Sequence, residues 1–207
     1  MKRKRVFQAL AIIAAALAAY FVYQNLGNKI TNHPNEGISV IAFGDSLVYG
    51  IGSSVGGGFV NLLSEDLKVS IINLGVNGDR TKDALRRMKQ ITDRNPKVVM
   101  VLIGGNDFLS GVPEEKTFEN LSKIIEKIHE VGAVVILLGL QSELPGNDHR
   151  ARLDALAEKY KTAYVPDILD GIYGNPKFMS DKLHPNDEGY RLMAERIKPV
   201  LKKLLIK

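Results

Sequence analysis

The 207-residue sequence contains no cysteine, no internal repeat and no low-complexity tract. The absence of cysteine excludes disulfide bonds, thiol catalysis and thiolate metal sites. The body of the chain also has almost no net charge. The net charge is +5, but residues 1–36 hold +4 of it and residues 37–207 only +1. A near-neutral body lacks the basic patch typical of nucleic-acid-binding proteins, so we expect no nucleic acid among the partners.

One long hydrophobic run, Val6–Tyr23, follows the basic residues Lys2–Arg5. Because about 20 apolar residues span a bilayer, we expect residues 1–25 to be an uncleaved membrane anchor. The alternatives are a signal peptide cleaved at Ala16-Leu17-Ala18 and a buried globular helix. On the first two interpretations the body is exported. It then lies at the extracytoplasmic face of the membrane, or is periplasmic or secreted once the leader is cleaved.

The body divides into a linker, residues 26–37, and a folded domain, residues 38–207. Apolar runs predict strands at Ile38–Phe43, Val69–Leu74, Lys97–Ile103, Ala133–Leu138 and Ala163–Val165. Amphipathic spacing predicts helices at Gly58–Leu67, Thr81–Gln90 with Thr81 as N-cap, Thr117–Val131, Arg150–Tyr160 and Asp187–Leu205. Apolar strands that alternate with helices indicate a doubly wound α/β domain, whose parallel sheet is covered on both faces.

Such a sheet binds ligands at the carboxyl ends of its strands, and a serine follows the first of them. In Gly44-Asp45-Ser46-Leu47, the glycine allows a sharp turn that exposes the Ser46 hydroxyl as a nucleophile. The alternative is a serine that caps a helix. The motif is not the G-x-S-x-G elbow of the α/β-hydrolases.

Two glycine-containing segments follow the next two strands. In Asn73–Gly78, Gly75 can present its backbone N–H to an oxyanion or simply form a tight turn. In Gly104–Asp107, the Asn106 amide can donate to the same oxyanion or stabilise a loop as an Asx-turn. The second segment contains no lysine and does not resemble a phosphate-binding loop.

A histidine with an aspartate three residues before it lies near the C-terminus, in Asp181-Lys182-Leu183-His184-Pro185. Histidine can take the proton of a serine hydroxyl, and an aspartate can orient its ring. A lone histidine is more often an ordinary surface or core residue. The other three histidines lack an aspartate partner at a strand end: His33 is in the linker, His129 on the surface of a helix, and His149 in a charged loop.

On these four motifs the sequence resembles the SGNH hydrolases, also called the GDSL esterase/lipase family. The resemblance covers residues 38–205 and is greatest to the bacterial thioesterase, lysophospholipase and arylesterase branch, through residues 104–111 and 173–186. It implies a flavodoxin-like three-layer α/β/α sandwich with about five parallel strands. It also implies acyl-enzyme chemistry without metal or other cofactor, by a triad of Ser46, His184 and Asp181.

The oxyanion hole that the resemblance implies consists of the Ser46 and Gly75 N–H groups and the Asn106 side chain. Asp45 and Asp107 are carried over as supporting residues, and Asp107 is expected beside the substrate. Apolar residues of two loops either line an acyl channel or only pack the loops: Phe108, Leu109, Leu144 and Pro145.

The expected substrates are small-molecule or lipid esters, such as fatty acyl esters, lysophospholipids or thioesters. A carbohydrate or peptidoglycan O-acetylesterase is the alternative, since an exported and tethered enzyme meets such polymers. Two hypotheses come from other classes, a catalytically silent binding module and a nucleotide-binding flavodoxin-like protein. The second lacks a glycine motif for phosphate. The sequence does not determine the oligomeric state.

Overall fold

Five parallel strands form one sheet in the computed structural model, which describes residues 29–140 and 147–206. The strands are β1 (Ser39–Gly44), β2 (Ile71–Gly75), β3 (Pro96–Leu102), β4 (Val134–Leu138) and β5 (Ala163–Val165). Their order across the sheet is β2-β1-β3-β4-β5. This is the order of flavodoxin-like doubly wound sheets and confirms the predicted α/β class.

Helices cover both faces of the sheet. Those of the described residues are α1 (Ser46–Tyr49), α2 (Gly58–Leu67), α3 (Thr81–Arg86), α4 (Lys89–Thr92), α5 (Gly105–Leu109), α6 (Glu114–Glu130), α7 (Asn147–Tyr160) and α8 (Asp187–Leu205). Helices α2 and α8 pack together on one face, while α3, α4 and α7 pack with α6 on the other. The short helices α1 and α5 follow the carboxyl ends of β1 and β3.

The central strands are buried on both faces, because their side chains alternate between two core layers. Ile41 and Phe43 of β1 pack in one layer with Ile124 of α6. Val40 and Ala42 alternate to the opposite face and are buried as well. Burial of one large apolar side chain stabilises the fold by about 1.5–3 kcal/mol. These layers therefore hold the strand ends, on which the site is built, in fixed positions.

The segment predicted as one helix over Thr81–Gln90 is divided into α3 and α4. Arg87 ends α3, and its side chain binds the ends of two strands instead of continuing along the helix surface. The prediction of Thr81 as N-cap is also wrong, because Arg80 holds that position. The Thr81 hydroxyl is buried and donates to Asp107 instead.

Side chains close the amino-terminal edge of the sheet with hydrogen bonds of 2.8–3.0 Å to backbone carbonyls. The donors are Thr31, Asn32 and Asn35. The acceptors lie at the ends of α6 and α7 and near the starts of β3 and β4: Lys97, His129, Gly132, Ala133 and Tyr160. The compact unit begins at Thr31, so residues 31–37 of the predicted linker belong to the folded unit.

The hydrophobic run expected to form an N-terminal helix lies outside the described residues. Within residues 29–140 and 147–206, none of the helices combines the length and the apolar character needed to cross a membrane. The membrane anchor therefore stays a prediction.

Candidate active site

Ser46 lies where the carboxyl end of β1 turns into α1. Glycine is required before this turn, because a Cβ at Gly44 would lie 1.8 Å from the Leu102 carbonyl oxygen. Asp45 is the N-cap of α1 and accepts the Leu47 N–H at 3.1 Å, so the alternative that Ser46 caps the helix is wrong. Ser46 is 8% exposed, and the turn holds it at the pocket described below.

Asp45 is a carboxyl group buried directly beside the nucleophile candidate, with 3% of its surface exposed. Burial raises the pKa of Asp45 to about 7, and the nearby Asp79 and Asp107 act in the same direction. The hydrogen bond from the Leu47 N–H opposes this shift of the pKa. Asp45 thus changes its charge near neutral pH at the edge of the site.

A loop closed by the Met179–Pro185 bridge carries both Asp181 and His184. The His184 Nε2 lies 3.1 Å from Ser46 Oγ, and its Nδ1 lies 2.9 Å from Asp181 Oδ2. A ring protonated at Nδ1 satisfies both contacts, since it donates to the carboxylate and accepts from the hydroxyl. The structure therefore brings together the three residues that the sequence predicts as a triad.

The Asp181 carboxylate is held by its own loop. It accepts the Leu183 N–H at 2.7 Å and the His184 N–H at 2.8 Å, in addition to the His184 ring. Partial burial works against ionisation, but these hydrogen bonds outweigh it and lower the pKa of Asp181. The group is ionised at neutral pH, as a carboxylate that stabilises an imidazolium must be.

Asn106 follows β3 on α5 and lines the same pocket as Ser46 and His184. Its amide donates one N–H to the Asp79 backbone carbonyl at 3.0 Å, and this bond sets the orientation of the amide. An asparagine side chain carries two N–H donors. In the described part of the chain, the second N–H has no acceptor.

The structure does not bring the Gly75 N–H to the pocket. This N–H donates to the Asn73 side chain at 2.9 Å. A Cβ at Gly75 would lie 2.1 Å from the Tyr49 backbone nitrogen, so the glycine allows close packing of β2 on α1. The expectation that Gly75 supplies an oxyanion donor is therefore wrong.

The turn Val76–Asp79 begins directly after Gly75 and offers backbone N–H donors beside the pocket. The Asp79 N–H donates to the Val76 carbonyl at 3.2 Å, and Gly78 has a φ of 80°, which favours glycine. Asn77 lines the pocket. In the described part of the chain, the N–H groups of Asn77 and Gly78 have no acceptor. The Asn-Gly pair, a strong turn signal, is the sequence feature that points to this turn.

The pocket has a volume of about 160 Å³ and an apolar lining of four leucines. These are Leu47, Leu109, Leu140 and Leu183. Of the residues expected beside the substrate, Leu109 thus lies at the pocket. Phe108 is 47% exposed and does not line it. Leu144 and Pro145 lie outside the described residues.

Asp107 is not among the residues that line the pocket and is 1% exposed. Its carboxylate accepts the Thr81 N–H at 2.8 Å and the Thr81 hydroxyl at 2.5 Å. Asn120 of α6 in turn donates to the Thr81 hydroxyl oxygen at 3.0 Å. Asp107 therefore ties α3, α5 and α6 together and supports the residue before it, Asn106, instead of contacting a substrate.

Two further histidines differ from what their sequence context predicts. His149 lies on α7 and not in a loop, with Nδ1 3.0 Å from Glu114 Oε1 and its ring edge-on to Phe118. His129 is half-buried, and burial lowers its pKa. Neither ring has a serine partner among residues 29–140 and 147–206. The same residues contain no cluster of three or more His, Asp or Glu that could hold a metal ion.

Residues 42–192 match the sequence model of the GDSL-like Lipase/Acylhydrolase family. The chain belongs to this family. It is a carboxylic ester hydrolase, in agreement with the resemblance found from its motifs. The chain is 30% identical to Esterase TesA of Pseudomonas aeruginosa over 181 residues, which cover 81% of this chain and 89% of that protein.

Other relatives of this GDSL-family chain carry related names. It is 31% identical to an Arylesterase of Vibrio mimicus, over 80% of this chain and 89% of the relative. It is 27% identical to Thioesterase 1/protease 1/lysophospholipase L1 of Escherichia coli, over 76% of this chain and 80% of the relative. A crystal structure of TesA superposes with a TM-score of 0.71 at 30% identity, covering 80% of this chain and 99% of that one.

Proposed function

We propose that this GDSL-family enzyme cleaves esters through an acyl-enzyme on Ser46, with His184 as general base and Asp181 as the carboxylate that orients it. One observation carries the proposal: the His184 ring lies 3.1 Å from Ser46 Oγ and 2.9 Å from Asp181 Oδ2. A hydroxyl, an imidazole and a carboxylate in this order activate serine nucleophiles on unrelated folds.

In the first half of the reaction, Ser46 Oγ attacks the ester carbonyl carbon while His184 Nε2 takes the hydroxyl proton. The carbonyl electron pair moves onto its oxygen and forms a tetrahedral oxyanion. When the intermediate collapses, the C–O bond to the alcohol breaks and the alcohol takes the proton from His184. The acyl group stays on Ser46, and Asp181 stabilises the imidazolium between the two proton transfers.

In the second half, water replaces the alcohol. His184 takes a proton from the water as its oxygen attacks the acyl carbon, and a second tetrahedral oxyanion forms. Its collapse breaks the bond to Ser46 Oγ, which recovers its proton from His184. The acid leaves and the free enzyme is restored.

Three N–H groups are proposed to bind the oxyanion, those of Ser46, Gly78 and the Asn106 amide. Ser46 is the first residue of α1, and the N–H of such a residue has no acceptor within its helix. Gly78 takes the role that the sequence suggested for Gly75, because its N–H is free among the described residues. Removal of one donor of this kind typically costs about 2.7–4 kcal/mol of transition-state stabilisation.

Two substrate classes follow from the pocket and from the relatives. The four leucines and the names of the relatives support acyl esters, thioesters and lysophospholipids. The volume of about 160 Å³ favours a short acyl group and keeps the carbohydrate or peptidoglycan O-acetylesterase as a second candidate. A series of p-nitrophenyl esters from acetyl to palmitoyl separates them. A sharp preference for acetyl supports the second candidate, and a rise of kcat/KM with chain length supports the first.

The leader is proposed to anchor the enzyme outside the cytoplasm, on the strength of its basic residues and apolar run. Membrane fractionation of the full chain tests this. An enzyme with its full intact mass in the membrane fraction supports an anchor. A shortened enzyme in the soluble fraction supports a cleaved signal peptide.

The chemistry is tested by Ser46→Ala with Ser39→Ala as its matched control. The two serines lie at opposite ends of β1, Ser39 as its first residue and Ser46 two residues after its last. We expect Ser46→Ala to abolish hydrolysis of p-nitrophenyl acetate and Ser39→Ala to leave it within twofold of wild type. Undiminished hydrolysis by Ser46→Ala contradicts the proposal.

A further inference from the structure

Arg87 spreads its guanidinium across the carboxyl ends of two strands. Its Nη2 donates to the Gly44 carbonyl and its Nη1 to the Leu74 carbonyl, both at 2.8 Å. Its Nε donates to Asp79 Oδ2 at 2.6 Å. The side chain is 12% exposed, and its Cζ lies 4.1 Å from the centre of the Phe43 ring. The planar group is therefore held at its edges and on one face.

The three acceptors stand directly before or within the segments that carry the proposed oxyanion donors. The first lies two residues before Ser46, and the second lies four residues before Gly78. The third belongs to Asp79, whose backbone carbonyl holds the Asn106 amide at 3.0 Å. One side chain thus contacts the supports of all three donors, although it lines no part of the pocket.

The hydrogen bonds between β1 and β2 stop just before the two segments that carry the proposed donors. The β1–β2 register ends at the pair Gly44–Gly75, and the Val76 N–H adds a last bond to the Gly44 carbonyl at 3.0 Å. Beyond that bond the chain turns into α1 on one side and into the Val76–Asp79 turn on the other. A guanidinium offers five N–H donors in one rigid plane, whereas an ammonium is a point charge on a flexible stem.

We propose that Arg87 is a positioning residue, which sets the spacing between the Ser46 turn and the Val76–Asp79 turn so that the three donors converge on one oxyanion. The inference rests on the proposed acyl-enzyme mechanism. Donors that converge only on the tetrahedral oxyanion accelerate the reaction without tightening substrate binding. Loss of the spacing therefore lowers kcat and leaves KM almost unchanged.

The test compares Arg87→Lys with Arg196→Lys, using p-nitrophenyl acetate and the full chain. Arg196 is a matched control because it also donates to two backbone carbonyls, those of Ile168 and Asp170, and does not line the pocket. We expect Arg87→Lys to lower kcat about 10- to 100-fold, the effect of a displacement of about 1 Å. Its KM stays within twofold, and Arg196→Lys keeps both constants within twofold.

Thermal unfolding of both variants separates positioning from loss of fold, and Asp79→Asn is a second variant that weakens the ion pair but keeps the backbone carbonyl. A selective fall of kcat in folded Arg87→Lys or Asp79→Asn supports the inference. It is overturned if the folded variants keep kcat within twofold of Arg196→Lys, or if KM rises by as much as kcat falls. Failure of the mechanism itself is distinguishable, because Ser46→Ala would then stay active in the wild-type background.

Discussion

The two edges of the sheet use their hydrogen-bond donors in opposite ways. At the amino edge, Asn32 and Asn35 each donate to two backbone carbonyls. At the carboxyl edge, Ser46, Gly78 and Asn106 keep N–H groups that the described part of the chain does not use. Unpaired polar groups cost stability. The amino edge is therefore built for stability, whereas on the proposed mechanism the carboxyl edge leaves donors unpaired for the oxyanion.

Two histidine–carboxylate pairs repeat this contrast. His184 and Asp181 at the carboxyl edge are 2.9 Å apart, and His149 and Glu114 between α7 and α6 are 3.0 Å apart. The first ring has Ser46 at its other nitrogen, whereas the second lies edge-on to an aromatic ring. The pairing is thus not a sign of catalysis by itself, and the third partner, Ser46 or Phe118, is what distinguishes the two pairs.

Among the substitutions that compare the two edges, the largest effect is expected for Asn106→Ala at the carboxyl edge. Loss of one oxyanion donor should lower kcat about 10²- to 10³-fold, with a KM close to that of wild type. Steady-state kinetics with p-nitrophenyl acetate measure this, and thermal unfolding shows whether stability is kept. A loss of kcat smaller than tenfold would contradict the assignment of Asn106 to the proposed oxyanion hole.

Asp45→Asn should make the carboxyl edge more stable above neutral pH. Folding raises the Asp45 pKa from 3.8 to about 7, so the folded protein binds the proton more tightly than the unfolded chain. The resulting stability is full below pH 3.8 and is lost as the pH rises through 7. Asparagine carries no charge and avoids the loss, with a gain of at most about 4 kcal/mol.

Chemical unfolding at pH 4 and pH 8 measures the Asp45→Asn effect. The difference in unfolding free energy between the variant and wild type should be larger at pH 8 than at pH 4. The same difference at both pH values would show that Asp45 is ionised in the fold at pH 4 already.

Asn35→Ala should destabilise the amino edge by about 2 kcal/mol, because it removes two donated hydrogen bonds worth about 1 kcal/mol each. Its kcat should stay within twofold of wild type. Urea unfolding and steady-state kinetics on one preparation check both. A loss of kcat of tenfold or more together with the loss of stability would contradict the distinction between the two edges.

The smallest effect is expected for His149→Gln, which removes the second histidine–carboxylate pair. Hydrolysis should stay within twofold of wild type, since this ring has no nucleophile beside it among the described residues. Measured kcat/KM for p-nitrophenyl acetate gives the answer. A loss of tenfold or more would mean that the two histidine–carboxylate pairs are not distinguished by their third partner.

Elements with strong periodicity could be predicted well from the sequence. The bounds of α2, β5 and α8 agree with the structure residue for residue, because apolar runs and helical spacing are local signals. Ser46, Asp181 and His184 could also be chosen, since each role requires a particular residue type. The contact between them spans 138 residues of sequence and needed the fold.

What could not be predicted depends on where elements end and on contacts between them. Whether Gly75 or Gly78 is the candidate oxyanion donor depends on where β2 ends. The strand includes Gly75, which pairs with Gly44 of β1. Thr81 resembles a helix cap, but its partner Asp107 is 26 residues away. Arg87 divides a periodic helix because it binds strand ends that local periodicity does not reveal.

The central claim is that Ser46 at the carboxyl edge is the nucleophile. The most direct measurement is peptide mass mapping of the full chain after reaction with a fluorophosphonate, which forms a stable adduct on an activated serine. We expect one adduct, on the peptide that contains Ser46, and none in His184→Ala over the same time. An adduct on another serine, or equally fast labelling without His184, would contradict it.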